Sequence, residues 1–317
     1  MVAPRGVLST CVIRHMHRNE TEIGRVAEKP RNAAGEDTVR RITTETERTA
    51  RDFGPAVRPI FLERPNGQFE LVGSCVLCQI MNRYVVLTAA HVVDHAKRGS
   101  LYLGGIADTF LIDATIYSSS PAVVATGHGD PIDIAFLELN PGYVQPLGNV
   151  RFITMEEVDV DDAAHPAPVY FCVGYPVRFE TRNDLTRSFA LTGQVFTNVE
   201  ANEQQYRQHS LKRQTHLAIR VDQKKVIISG QRVRLHMEGM SGGGAWRHGS
   251  LQPVSDFQGA DRLVGVVIEH RSGSYGVLVC TRVSHFLEAI RRVWPELSSA
   301  IPASTYLEVV QVEPRRD

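Results

Sequence analysis

No run in this 317-residue sequence approaches the roughly 18 apolar residues needed to cross a bilayer. The first apolar stretch, Val7–Ile13, is interrupted by Ser9 and Thr10 and followed at once by Arg14, His15, His17 and Arg18. A secretory leader has a longer apolar stretch and a small-residue cleavage site. An excess of one charge is also missing, since 35 Lys and Arg balance 35 Asp and Glu. Neither nucleic acid nor an anionic membrane is therefore expected as partner. Cysteine is scarce: Cys11, Cys75, Cys78, Cys172 and Cys280 are odd in number and irregular in spacing, which argues against a disulfide framework. Cys75 and Cys78 form a Cys-x-x-Cys, but no second pair or histidine set completes a zinc site. The pair lies inside an apolar, strand-like run, where free thiols are buried and inert. The histidines are scattered, and Gly242–Gly244 lacks the Lys-Ser or Lys-Thr of a phosphate loop, so neither metal nor cofactor is expected. These absences together predict a cytoplasmic protein.

What is present falls into two textures. Residues 1–55 are rich in Arg, Glu and Thr and poor in large apolar side chains, and read as a flexible arm with one short helix. That helix starts at Gly35-Glu36-Asp37 and runs towards Asp52, with Val39, Ile42 and Thr46 on one face. The alternative for this segment is a docking or regulatory element. From Val57 onward short apolar and β-branched runs recur between turn residues. They are Phe69–Leu77, Tyr84–Thr88, Ser100–Leu103, Phe110–Ile116, Ile134–Leu139, Val169–Val173, Phe189–Val195, Leu217–Val221, Lys225–Ser229, Arg262–Ile268 and Gly276–Thr281. Many short strands predict an all-β sandwich or barrel. The polar stretch Glu200–Arg213 reads as an exposed loop, and apolar residues at helical spacing from Ser284 to Val293 predict one closing helix before Pro295.

Three motifs carry chemistry. In Val86-Leu87-Thr88-Ala89-Ala90-His91-Val92 a strand runs into small residues and then a histidine. Small side chains let the backbone pack behind the imidazole, which fixes a general base and acid in place. In Ile132-Asp133-Ile134-Ala135-Phe136-Leu137 an acid opens an apolar strand, placed to orient an imidazole. In Gly239-Met240-Ser241-Gly242-Gly243-Gly244 a serine sits on a glycine turn. There the N–H groups of Gly239 and Ser241 converge as an oxyanion hole. The order His, Asp, Ser suits two barrels, the first giving His91 and Asp133, the second Ser241.

Val86–His91, Asp133–Leu137 and Gly239–Gly243 resemble the three signature blocks of the trypsin-like, chymotrypsin-fold serine proteases. Leu263–Val267 and Gly276–Val283 resemble that family's pocket-wall strands, and Thr281-Arg282-Val283 its last strand entering a C-terminal helix. The likeness covers roughly residues 57–295. It implies two perpendicular antiparallel barrels, about 56–150 and 165–283, with a helix at 284–294, inside a protease domain spanning 56–317. It implies a peptide-cleaving acyl-enzyme with Ser241 as nucleophile, His91 as base and Asp133 as orienting acid. The partner so implied is a protein or peptide substrate.

The departures from the family are informative. The family's animal digestive members have Asp before the serine, to pair with a newly cut N-terminus; here the residue is Met240, and no Ile-Val-Gly-Gly start lies near Val57–Leu62. Zymogen activation by that route is not expected. Val92 follows the histidine where secreted members carry Cys, and too little chain follows the closing helix for a PDZ module. Regulation then falls to the arm, the loops or a regulatory protein partner. The expectation extends to a dormant cytosolic protease that a partner triggers in bacterial stress or anti-phage defence. Leu235, six residues before the serine, stands at the family's pocket floor, with Ile268 and His270 on the wall strand. An uncharged floor favours an apolar or small side chain at the cleavage position. Asp113, in Leu111-Ile112-Asp113-Ala114, is the rival for the acid, and Asp133 is preferred because the Ile-Ala-Phe-Leu after it reproduces the family block. His128 and Asp130 read as turn residues, His236 as a loop residue, Asp94 and His95 as a short helical turn after His91, and Trp246 and Trp294 as core. Two competing functions use the same fold: a non-catalytic binding or scaffold module, and an esterase using the same triad.

Overall fold

The computed structural model describes residues 33–105, 108–119, 132–160, 169–177, 193–221, 237–249, 259–273 and 276–303. It also describes the short strands 12–13, 25–26, 181–183, 188–191, 226–228, 231–232 and 312–314. The chain is mostly β, as expected, with two curled antiparallel sheets forming half-barrels.

The first sheet takes β1 (Val57–Glu63), β2 (Phe69–Ile80), β3 (Arg83–Ala89), β4 (Leu101–Gly104), β5 (Thr109–Leu111), β6 (Ile116–Ser119) and β7 (Ile134–Glu138). Their spatial order is β6-β7-β3-β2-β1-β4-β5. Val312–Pro314 extends the β6 edge, and Ile153–Thr154 pairs in parallel with β2. The expected strand 110–116 is two strands, parted at residues 112–115.

The second sheet takes β8 (Val169–Gly174), β9 (Gln194–Val199), β10 (His216–Arg220), β11 (Gly244–Arg247), β12 (Arg262–Arg271) and β13 (Val277–Arg282), in the order β9-β8-β11-β12-β13-β10. Two register shifts interrupt it, at Ala245/Trp246 and at Val267/Glu269. The second leaves Ile268 unpaired in β12, which kinks the strand there.

Helices cover the sheets at both ends of the chain. In the N-terminal segment, α1 (Ala33–Phe53) is a 21-residue helix, longer than expected. Its last turns are core: Thr46, Thr49 and Ala50 are buried, and the Phe53 ring lies 5.7 Å from Phe171 and 5.4 Å from Trp246. Arg48 ties the helix to Asp261 at 2.8 Å, and Thr46 Oγ1 meets Thr197 Oγ1 at 3.0 Å. At the other end α4 (Val283–Val293) buries Val283, Phe286, Leu287 and Ile290, a 3.6-period stripe. Phe286 and Ile290 share one core with Phe136 of the first sheet and Phe171 of the second.

A further helix lies in the polar stretch expected to be an exposed loop. There α3 (Glu203–Gln208) starts with a capping box: Gln205 N–H donates to Asn202 Oδ1 (3.0 Å), and Asn202 N–H to Gln205 Oε1 (3.1 Å). Tyr206 is buried and accepts the Ala218 N–H at 2.9 Å. A polar run looks like loop when only a few of its residues, here Ala201, Tyr206 and Leu211, reach the core.

Candidate active site

His91 follows β3 in the short helix α2 (Ala90–Val93). Small residues are needed here because the elements nearly touch: a Cβ on Gly73 of β2 would lie 2.6 Å from Val92 Cγ2. Asp133 precedes β7, which pairs with β3, so Ala89 faces Ile134. The pairing puts the histidine beside the acid. His91 N–H donates to Asp133 Oδ1 at 2.9 Å, and His91 Nδ1 meets Asp133 Oδ2 at 2.6 Å. An ionised carboxylate only accepts, so Nδ1 carries the proton and Nε2 keeps its lone pair. The Asp133 carbonyl takes the Ala90 N–H at 3.2 Å. Asp133 is held at φ 49°, in the left-handed region, a strained state that its local bonds sustain.

The electrostatics follow. Burial pulls the His91 pKa down, but the Asp133 hydrogen bond and charge, with the charges of Asp94 and Glu269, outweigh it. The net shift is upward from 6.5.

Ser241 lies in the turn before β11. The side chain of Met240 anchors that turn, since it is buried in a core cluster with Cys172, Phe196 and Val267. An apolar side chain thus precedes the serine, where no carboxylate stands to pair with an amine. The turn is also docked on the first sheet: Ser74 N–H donates to Ser241 O at 2.7 Å, and a Cβ on Gly73 would lie 3.0 Å from that oxygen. Gly73 therefore touches both Val92, the neighbour of His91, and Ser241.

Gly239 has φ 89°, and a Cβ there would lie 2.4 Å from Tyr175 O. The N–H groups of Gly239 and Ser241 donate to no group among the described residues, whereas Met240 N–H donates to Met237 O at 3.0 Å. In a trans peptide N–H and C=O point opposite ways. Val177 N–H holds Glu238 O at 2.8 Å, and Gly243 N–H holds Met240 O at 2.8 Å. Each bond fixes a peptide whose other end is one of the two free donors.

The serine hydroxyl donates to Ile268 O at 3.2 Å, at the kink in β12. No hydrogen bond joins it to His91 Nε2 among the described residues. The structure thus unites His91 with Asp133 and seats the serine turn against the same half-barrel, with the hydroxyl turned aside.

The other expected residues divide. The Ile268 side chain is buried with the first sheet's core, and its carbonyl meets Ser241. His270 is half-buried on β12; burial, partly offset by Glu269, lowers its pKa. Leu235, His236, His128 and Asp130 lie outside the described residues. Asp113 lines an apolar recess with Leu103, Phe110 and Tyr143, away from His91. Asp94 pairs with Lys97, and His95 with Arg98. Trp246 and Trp294 are core. Cys75 and Cys78 are buried; burial pushes the Cys75 thiol up to about 12 and the Cys78 thiol higher still. The residues missed from the sequence are Gly73 and Ser74. A glycine inside a strand signals close backbone approach, and that signal was there to be read.

No helix among the described residues is long and apolar enough to cross a membrane. Comparison with protein-family models and with curated proteins finds no match.

Proposed function

We propose that the chain is a serine endopeptidase of the trypsin-like kind, working through Ser241, His91 and Asp133. The observation that carries this reading is the double contact of Asp133 with His91, on the half-barrel that also receives the Ser241 turn. A carboxylate on Nδ1 leaves Nε2 as base, which is what a serine nucleophile requires.

The chemistry follows in order. Ser241 Oγ leaves Ile268 O by rotation about χ1 and gives its proton to His91 Nε2 as Oγ attacks the scissile carbonyl carbon. The oxygen gains the negative charge and meets the Gly239 and Ser241 N–H groups. The C–N bond breaks, the amine leaves with the proton from Nε2, and an acyl-Ser241 ester remains. Water gives a proton to His91 Nε2 as it attacks the acyl carbon, the acyl–Oγ bond breaks, and Nε2 passes that proton to Ser241 Oγ as the carboxylic acid leaves. Asp133 keeps its charge throughout and stabilises the imidazolium.

The test is labelling by a fluorophosphonate probe, which reacts only with an activated serine. Wild type should label, and Ser241→Ala and His91→Ala should not. A wild type as inert as the variants would overturn the reading. Peptide and ester substrates of the same acyl group separate an endopeptidase from an esterase.

A second reading, a dormant protease awaiting a protein partner, draws on the hydroxyl bonded to Ile268 O. Met240 in place of an acid offers a new buried amine no counter-charge, which supports a trigger from a partner, the loops or the N-terminal segment. Under this reading the isolated chain labels slowly, and a trigger raises the rate.

A further inference from the structure

Ser74 is fully buried in the middle of β2, where the neighbouring Cys75, Val76 and Leu77 are apolar core. All its polar groups are in use. Its N–H donates to Ser241 O at 2.7 Å. Its carbonyl accepts Thr88 Oγ1–H at 2.8 Å. Its hydroxyl donates to Gly239 O at 2.7 Å and accepts the Tyr175 N–H at 2.9 Å. A buried hydroxyl with both capacities satisfied specifies the placement of its partners, and does more than fill space.

Those partners are the parts of the site. Thr88 lies on β3, three residues before His91. Tyr175 follows β8, two residues before the Val177 N–H that orients the Glu238–Gly239 peptide. Gly239 O and Met240 N–H belong to the peptide lying between the two free donors. Holding that carbonyl fixes the peptide that links the two donor peptides, and with it the angle at which the Gly239 and Ser241 N–H groups converge. Without the hydroxyl, the 3.0 Å bond from Met240 N–H to Met237 O is the one bond left on that peptide among the described residues. Glycine at 239 adds no side-chain restraint of its own.

We propose that Ser74 is a positioning residue of the first half-barrel: its hydroxyl locks the Gly239–Met240 peptide and so aims the two oxyanion donors. The proposal rests on the serine hydrolase reading for its catalytic consequence. Ser74 touches neither substrate nor the reacting atoms, so its effect belongs to the rate of the chemical step and not to binding.

The experiment compares wild type, Ser74→Ala and Ser74→Thr, which keeps a hydroxyl. Each is measured for fluorophosphonate inactivation, separated into maximal rate and half-saturating probe concentration. Each is also measured for amide hydrogen exchange over residues 237–243 and, as a control, 83–93. Loss of a whole oxyanion donor costs about 10²–10³-fold in rate, so loosening one predicts a fall of about 10- to 100-fold in Ser74→Ala. Half-saturation should stay within about twofold, exchange should accelerate at 237–243 alone, and Ser74→Thr should recover much of the rate. A wild-type rate and wild-type exchange in Ser74→Ala would overturn the proposal. Faster exchange in both segments would do so too, because it marks general destabilisation. A wild type that fails to label sinks the hydrolase reading separately, and the exchange comparison still decides whether Ser74 locks the turn.

Discussion

A Cβ placed on Gly242 would lie 1.8 Å from the carbonyl oxygen of Ser74 and 2.3 Å from Thr88 Oγ1. Two half-barrels meet here with no room for one carbon atom, and Gly242 is held at φ 86° besides. Gly242→Ala is expected to cost about 2–4 kcal/mol through clash and strain together, and to abolish probe labelling. Thermal unfolding and labelling, measured on the same sample, check both parts. A variant with wild-type stability and labelling would mean that the sheets part easily at this contact.

The Asp133–His91 pair sets a pH dependence. Because the His91 pKa stands above 6.5, labelling should rise with pH through an apparent midpoint above that value, as the base loses its proton. The stability contribution of the pair has the opposite sense. It is full below the unfolded histidine value and fades as pH rises through the folded one. Asp133→Asn should lower the midpoint and cut the labelling rate about 10⁴-fold, since an amide no longer enforces the tautomer. A midpoint unchanged in Asp133→Asn would remove Asp133 from its assigned role.

Phe53 closes α1 over the second sheet, with Trp246 and Phe171 against its ring and Arg151 above it at 4.5 Å. Phe53→Ala should cost about 3–5 kcal/mol, the usual loss for a buried ring. Denaturant unfolding gives the figure. A loss under about 1 kcal/mol would show that α1 is dispensable to the second half-barrel.

Asp261 is buried and gathers three groups: Arg48 of α1 at 2.8 Å, the Gly249 N–H at 2.8 Å and His248 at 3.5 Å. Burial works to raise its pKa, but His248, the Gly249 N–H and Arg48 outweigh it and hold the value below 3.8. Its contribution is therefore present above the unfolded carboxylate value and lost as pH falls through the folded one. Asp261→Ala is expected to cost about 2–4 kcal/mol at neutral pH, because it strands buried polar groups. The gap to wild type should narrow below about pH 4. Unfolding free energies across that range test it, and a gap independent of pH would be the contrary result.

Much of this protein is local information. Alternating and apolar runs made β2, β3, β7, β8, β12 and β13 legible, since each buries a face that its own residues announce. The small residues before His91, the acid opening β7 and the glycines around Ser241 marked the candidate site in the same way. The end of the chain was equally plain, where Phe286, Leu287 and Ile290 of α4 recur at helical spacing.

What the sequence could not decide depends on residues far apart along the chain. The Glu- and Arg-rich α1 is polar enough to read as an arm, and only Phe171 and Trp246, from a different sheet, make its last turn core. Ser74 sits in an apolar strand where a hydroxyl has no local use, and it acquires one when Gly239 O and the Tyr175 N–H arrive from the other half-barrel. The direction of the Ser241 hydroxyl, towards Ile268 O, likewise depends on a kink in β12 that no local pattern encodes. Periodicity reports how a segment meets water, whereas hydrogen-bond geometry at a seam is fixed only when both sides are in place.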